Sequence, residues 1–306
     1  MSLAPRAVLV HRTSEYEELV ARHGTHGQAA FFLASRGRDI EEVAERHRRT
    51  RRALAEVTAA IPLTWRQTRV ERADLDRFLF APEDVVVVVG QDGLVANVAK
   101  YLQGQPVVGI DTDPGRNPGV LVRHRPRDAA VLLPSVLAAG TGVDELTMVE
   151  AVADDTQRLV ALNEIYLGAA GHQTARYRLG LEDDGGVVEA QASSGVLVGT
   201  GTGATGWIRS VWQERGGSGG GGTGGLRLPG PSERRLLWFV REAWPSPATG
   251  TSLVAGELAA GGRLALTVES ERLIAFGDGI ESDAVELTWG QTVRVGVCGE
   301  RLRLVG

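Results

Sequence analysis

Three short segments of this 306-residue chain carry residue types arranged for chemistry. The first is Gly90-Gln91-Asp92-Gly93, which follows five consecutive valines, Val85 to Val89, and precedes a helix-like stretch from Leu94 to Leu102. Glycines between a buried strand and a helix N-terminus let the backbone approach a phosphate, and the helix end favours negative charge. An aspartate at that place can orient a metal or take a proton from a hydroxyl. The second segment is Asn163-Glu164, after the apolar run Leu159 to Leu162. A carboxylate beside a carboxamide can grip a ribose diol or an adenine edge. The third runs from Gly199 to Trp207, where glycine alternates with Thr200, Thr202 and Thr205. Such a segment offers amides and hydroxyls to a phosphate or a ribose. It is not a Walker loop, because no lysine follows. Singly, each segment has a plainer reading as a turn, a strand end or a loop.

The elements that must position these residues are legible in outline. Arg6 to Val10 fits a first buried strand, and Gln28 to Ala60 a helical region with a break at Gly37. Thr64 to Val70 alternates as a second strand. The valine run is the pattern of a strand buried on both faces, as in a parallel sheet. With the glycine turn, the helix after it and a strand from Pro106 to Ile110, it makes a βαβ unit, whose ligands bind at the carboxyl ends of strands. Beyond Asn117 the pattern changes. After a helix near Pro134 to Ala139, β-like runs follow at Arg158 to Leu167, Ala175 to Leu181, Val187 to Val198, Leu236 to Arg241, Arg263 to Val268 and Val293 to Val297. The expected fold is α/β plus all-β: a Rossmann-like domain over residues 1–117 carrying the Gly90–Gly93 turn, then a β-sandwich-like acceptor domain over 118–306. The low-complexity run Gly216 to Gly225 is expected to be a flexible surface loop.

Composition bounds the function. A net charge of −5 gives no electrostatic case for nucleic acid as the main partner. Cys298 is the only cysteine, which excludes an internal disulfide and a cysteine-based metal cage. No apolar run reaches the length of a membrane span, and Met1 to Val10 lack the apolar core of a signal peptide, so a soluble cytoplasmic protein is expected. Lys100 is the only lysine among many arginines, so the run Arg46 to Arg52, flanked by Glu41, Glu42, Glu45 and Glu56, reads as a solvated helix face. His23 and His26 flank a glycine in a surface turn, and Asp111 and Asp113 are explained as well by an Asp-Thr-Asp-Pro turn as by a metal.

Together the three segments resemble the NAD kinase family, which carries a Gly-Gly-Asp-Gly turn, an Asn-Glu pair and a Thr-Pro-Thr-Gly-Ser-Thr-like segment. The resemblance is closest to the mitochondrial-type NAD kinases and their bacterial relatives. Gly109 to Gly119 is similar to their Gly-Val-Asn-Thr-Asp-Pro segment and Ala161 to Gly168 to their Ala-Leu-Asn-Glu strand. Ser193 to Gly195 and Thr200 to Gly203 match that branch, and the N-terminal helical region and Leu237 to Glu242 are similar in kind, so the likeness covers roughly Tyr16 to Val297. It implies an active site at the cleft between two domains, and commonly between subunits, with a homo-oligomer as dimer or tetramer. It implies transfer of the terminal phosphoryl of ATP, with Mg2+ or another divalent cation, to the adenosine-ribose 2′-hydroxyl of NAD, giving NADP.

Carried over by position, Asp92 is the general base, Asn163 and Glu164 hold the acceptor, and Thr202, Thr205 and Ser210 line the nucleotide pocket. Gly90, Gln91 and Gly93 form the donor-phosphate turn, and the metal ligands are left unassigned. Four positions depart from the pattern. Gln91 replaces the second glycine of the turn and Leu94 its following threonine; Ala204 stands where serine is frequent and Trp207 where tyrosine is. If the turn needs a positive φ at Gln91, the side chain is strained there. Two other readings keep the fold: a kinase of another hydroxyl acceptor such as a nucleoside, sugar or lipid, and a non-catalytic dinucleotide sensor. The sequence leaves ATP, another nucleoside triphosphate and polyphosphate open as donors.

Overall fold

Five valines in a row leave a strand no face for water, and Val85 to Val89 are each at most 1% exposed. Burial of one such side chain stabilises by about 1.5–3 kcal/mol, so this strand anchors its surroundings. The computed structural model describes residues 4–116, 119–138, 142–154, 156–182, 187–216 and 225–306. The chain forms two compact units, Met1–Asp144 with Arg303–Gly306, and Glu145–Leu302.

The first unit contains β1 (Arg6–His11), α1 (Glu15–His23), α2 (His26–Ala34), α3 (Ile40–Ala60), β2 (Arg66–Glu71), β3 (Asp84–Gly90), α4 (Asp92–Ala99), β4 (Pro106–Asp111) and α5 (Ala129–Ser135). Its strands pair in parallel in the order β2-β1-β3-β4, and Arg303 and Leu304 add a further parallel pairing to Pro106 and Val107. α1 starts at a capping box of Ser14 and Glu17, and Asp39 caps α3 through the Glu41 amide. The expected break at Gly37 is real: α2 ends before it, α3 begins after it, and its φ of +68° suits glycine. The arginine run lies on α3, where Arg46 pairs with Glu15 and both Arg48 and Arg52 with Glu45. Exposed pairs of this kind contribute about 0–1 kcal/mol each.

The expected division at residues 117/118 falls inside this unit. The reason is α5: Ala129 and Leu133 are fully buried in one core with Val85, Val87, Val89 and Ile110. His124 also bridges to Ile110 beside the sheet.

The second unit contains β5 (Val143–Ala153), β6 (Arg158–Ala161), β7 (Glu164–Gly168), β8 (Ala175–Leu181), β9 (Val188–Ser193), β10 (Gly195–Gly199), α6 (Trp207–Glu214), β11 (Arg235–Arg241), β12 (Ala255–Ala259), β13 (Arg263–Val268), β14 (Arg272–Gly277), β15 (Ile280–Thr288) and β16 (Thr292–Val305). β9, β8, β13 and β16 lie side by side with β5 and β6 attached, and a second sheet has the order β12-β11-β10-β7-β14-β15. One core takes Tyr177, Leu266 and Val295 from the first of these sheets and Ile165, Val198 and Trp238 from the other. This is the expected sandwich. The run expected as one strand from Arg158 to Leu167 is two, β6 and β7, interrupted at Leu162 and Asn163. The expected Gly216–Gly225 loop lies largely outside the described residues, with only its two end glycines within them.

Candidate active site

In the first unit Gln91 is the N-cap of α4, with φ −127° and ψ 165°. That is extended backbone open to any residue, so the strain considered for a non-glycine does not arise. The Gln91 side chain is exposed and caps no amide of the helix. Asp92 opens α4. Its Oδ1 accepts from the amides of Leu121 (2.8 Å) and Val122 (2.9 Å), and its Oδ2 from Val120 (3.0 Å). An ionised carboxylate offers about four acceptor positions, so most of them are used and the group is rigidly aimed. Leu94 turns its side chain back over the turn, and a Cβ on Gly90 would stand 3.0 Å from it. Leu94 itself is buried, so the residue replacing the family threonine serves packing. The space around Gly93 is open. Asp111 accepts from the amide of Asp113, and Asp113 pairs with Arg49 at 2.5 Å, so the turn reading accounts for both.

In the second unit the interruption between β6 and β7 is held from two sides. Just beyond β10, the Thr200 hydroxyl donates to the Leu162 carbonyl (2.6 Å) and the Thr200 amide to the Asn163 carbonyl (2.9 Å). From the turn between β14 and β15, the Asp278 carboxylate accepts the amides of Leu162 (2.9 Å) and Asn163 (2.7 Å), and the Asp278 amide donates to the Glu164 carbonyl (3.1 Å). The Thr200 hydroxyl also accepts from the amides of Thr202 and Gly203. The glycines between these hydroxyls are there for close approach. A Cβ on Gly203 would stand 2.4 Å from the Asn163 carbonyl oxygen and 3.0 Å from Glu164 Oε2, and one on Gly201 only 2.0 Å from the Gly230 carbonyl oxygen.

The structure thus brings Asn163, Glu164 and Thr202 together. Thr205 donates its hydroxyl to the Thr202 carbonyl (2.9 Å) and is exposed. Ser210 is exposed on α6, whose buried residues are Ile208 and Val211. Trp207, at the family's tyrosine position, stacks on Tyr166 with ring centroids 5.9 Å apart, and the Arg241 guanidinium lies over the Trp207 ring, 5.5 Å from its centroid.

Two groups in this cluster stand out, a hydroxyl without a partner among the described residues and a carboxyl shifted in its titration. The Thr202 hydroxyl is buried with no hydrogen-bond partner among the described residues. An unpaired buried hydroxyl costs about 1–3 kcal/mol, which a ligand can recover. The Glu164 carboxyl is pushed up to about 8, first by burial and then by the negative charge of Asp278. A protonated carboxyl can donate a hydrogen bond; ionised, it only accepts.

Asp278 is the residue that reading by motif missed. Its signal was the Asp278-Gly279 dipeptide between two runs rich in apolar residues. With φ values of 53° and 68° these two residues make the turn of a tight hairpin.

Among the described residues, one group of metal-ligating atoms lies close together: Glu150, Cys298 and Glu300. Arg158 already fills it, contacting Glu150 (3.1 Å), Cys298 (3.3 Å) and Glu300 (2.6 Å). Burial and Glu300 push the Cys298 thiol up to about 12, and a thiol does not suit the oxygen sphere that Mg2+ demands. This cluster does not fit the implied ion.

No protein-family model matches the chain. Curated NAD kinases do. That of Psychrobacter arcticus is 30% identical over 159 residues, 50% of this chain and 48% of the relative. That of Methylococcus capsulatus is 32% identical over 134 residues, 42% of this chain and 45% of the relative. That of Acinetobacter baylyi is 32% identical over 133 residues, 42% of each. The chain spans about half the length of the curated relatives it matches. With an α/β unit and an all-β unit, the chain is similar to several curated NAD kinases over about half of its length.

Proposed function

We propose that this protein transfers the terminal phosphoryl of a nucleoside triphosphate, ATP first among them, to the adenosine-ribose 2′-hydroxyl of NAD to give NADP. The observation that carries this reading is the buried Thr202 hydroxyl without a partner among the described residues, in a segment that packs on Asn163 and the half-buried Glu164, whose backbone Thr200 and Asp278 hold. Asn163 and Glu164 grip the hydroxyls and base edge of the acceptor, and Thr202 supplies a buried hydroxyl to it; Thr205 and Ser210 border the pocket. In the first unit, Asp92 keeps an acceptor position beyond those its three amide donors use. It orients the attacking hydroxyl and takes its proton. Gly90, Gln91 and Gly93, at the N-terminus of α4, receive the donor phosphates, where backbone amides and the helix end favour negative charge. Phosphoryl transfer needs little more than positioning and charge neutralisation. The divalent cation travels with the donor, since Mg2+ is bound mainly through waters and substrate phosphates.

Among the described residues no helix is long and apolar enough to cross a membrane. A cytoplasmic setting, where both substrates are supplied, and a homo-oligomeric state belong to the same proposal. Incubation of the purified protein with NAD, ATP and magnesium tests it, read by an NADP-specific dehydrogenase. NADP formation is expected. Binding of NAD without turnover would make the chain a sensor, and phosphorylation of a different hydroxyl compound would change its acceptor.

A further inference from the structure

Leu162, Asn163 and Glu164 are the residues where β6 gives way to β7, and their backbone groups cannot join a continuous ladder there. Five of them are satisfied by two residues from elsewhere. Thr200 takes the carbonyls of Leu162 and Asn163; Asp278 takes the amides of Leu162 and Asn163 and the carbonyl of Glu164. The Thr200 contacts are those of a hydroxyl and an amide. Asp278 alone brings a charge, and that charge disfavours ionisation of the half-buried Glu164 carboxyl.

We infer that Asp278 is a positioning residue for the acceptor site, fixing Asn163 and Glu164 through their backbone and deciding by its charge whether the Glu164 side chain donates or accepts a hydrogen bond. The inference rests on Asn163 and Glu164 holding the acceptor. The surroundings of Glu164 leave Asp278 as the charge that acts on it. The Thr200–Gly206 segment packed against it brings hydroxyls and amides and no ionisable side chain, and β14 brings Phe276 and Gly277. The hydrogen bonds to the Leu162 and Asn163 amides hold the Asp278 carboxylate in place, so its field on Glu164 is fixed by the hairpin. The hairpin requires this geometry. Asp278 sits at φ +53°, a conformation that aspartate, asparagine and glycine adopt most readily.

A ribose diol presents hydroxyl donors, which an ionised Glu164 accepts well. Acceptor affinity therefore rises with pH as Glu164 loses its proton. Removal of the Asp278 charge shifts that rise to lower pH. A role confined to shape would weaken binding equally at every pH.

The test compares wild type with Asp278→Asn, which keeps the turn and most of the shape. Two readouts are followed across pH: NAD affinity by calorimetry, and the titration of Glu164 in the unliganded protein by 13C carboxyl NMR, assigned with Glu164→Gln. With a midpoint of about 8, wild-type affinity should rise about thirtyfold between roughly pH 6.5 and pH 9, because only the ionised fraction binds. In Asp278→Asn the rise should shrink to a few-fold and the NMR midpoint should fall by about one unit or more. Asp278→Gly, which also suits the turn, should behave alike if the asparagine variant folds poorly. An unchanged NMR midpoint in the variants would overturn the inference, and so would wild-type binding that is flat with pH. If the NMR midpoint shifts as expected and wild type binds no NAD at any pH, the acceptor assignment fails instead, and with it the role of Asp278 in an acceptor site.

Discussion

The two polar sites solve opposite problems. At the start of α4, the Asp92 carboxylate is surrounded by donors, the amides of Val120, Leu121 and Val122. Between β6 and β7, the half-buried Glu164 carboxyl feels the negative charge of Asp278, and the buried Thr202 hydroxyl has no hydrogen-bond partner among the described residues. The first site is nearly complete without a ligand, so its chemistry is that of a preset charge. The second carries an unpaired buried hydroxyl, which in a folded protein costs stability unless something else offsets it. Local satisfaction therefore separates a group set to act on a substrate from groups set to bind one.

The largest effect expected from breaking this contrast is at Asp92. Base catalysis by a positioned carboxylate contributes about 10²–10⁴-fold, so Asp92→Asn should lower kcat by that factor. The substitution replaces one acceptor oxygen by an amide group, so a small loss in Tm should accompany it. Initial rates and melting curves measured together check this. A variant that melts lower and turns over normally would make Asp92 a clamp for residues 120–122 and nothing more.

Glu164→Gln should act on binding and should depend on pH. Below about 8 the wild-type carboxyl is mostly protonated, and glutamine resembles it; above 8 the wild type carries a charge the variant lacks. NAD affinity should thus be similar in both near pH 6 and lower in the variant near pH 9, by about 1.5–3 kcal/mol for a lost hydrogen bond to a charged group. Calorimetric titrations at both pH values read this. A loss that is equal at both would mean that Glu164 titrates in the ordinary carboxylate range.

Thr202→Val sharpens the contrast through a change of sign. Removing an unsatisfied buried hydroxyl should raise the stability of the unliganded protein by about 1 kcal/mol while weakening NAD binding by a similar amount. Denaturant midpoints and binding constants would show it; a destabilised variant would mean that the hydroxyl is already paired in solution.

The smallest effect is expected at Gln91. Its backbone is relaxed, so Gln91→Gly relieves no strain and acts only by clearing side-chain atoms from the donor turn. kcat/KM for ATP should rise a few-fold, under about 1.4 kcal/mol. A fall would make the Gln91 amide a working contact to the donor.

The sequence showed the first site more fully than the second. Five valines, a glycine turn and an aspartate at a helix start lie within ten residues, so local pattern sufficed for β3, α4 and the place of Asp92. It did not show that three amides from residues 120–122 converge on that carboxylate, a contact made across about thirty residues of chain. In the second unit Asn163, Glu164 and Thr202 were legible as motifs, whereas Asp278 reaches them across more than a hundred residues. β14 and β15, which carry it, went unread. The exposed Glu281 and Glu286 and the half-buried Asp283 weaken the alternation of β15, so the apolar residues after the Asp278-Gly279 turn did not read as a strand. The compact units divide at Asp144 and Glu145 and not at 117/118 for a related reason: composition changes at 117/118, while the packing of α5 against the valine strand continues the first unit.

The central claim is that a partly unsatisfied acceptor site and a preset carboxylate together make a phosphotransferase acting on NAD. The direct measurement is a steady-state assay of the purified wild-type protein with NAD, ATP and magnesium, following NADP over time and confirming by NMR that phosphate sits on the adenosine-ribose 2′-oxygen. The account predicts NADP accumulation that is proportional to enzyme and slowed by about 10²–10⁴-fold in Asp92→Asn. Tight NAD binding with no NADP formed under any donor, or product phosphorylated elsewhere, would contradict it.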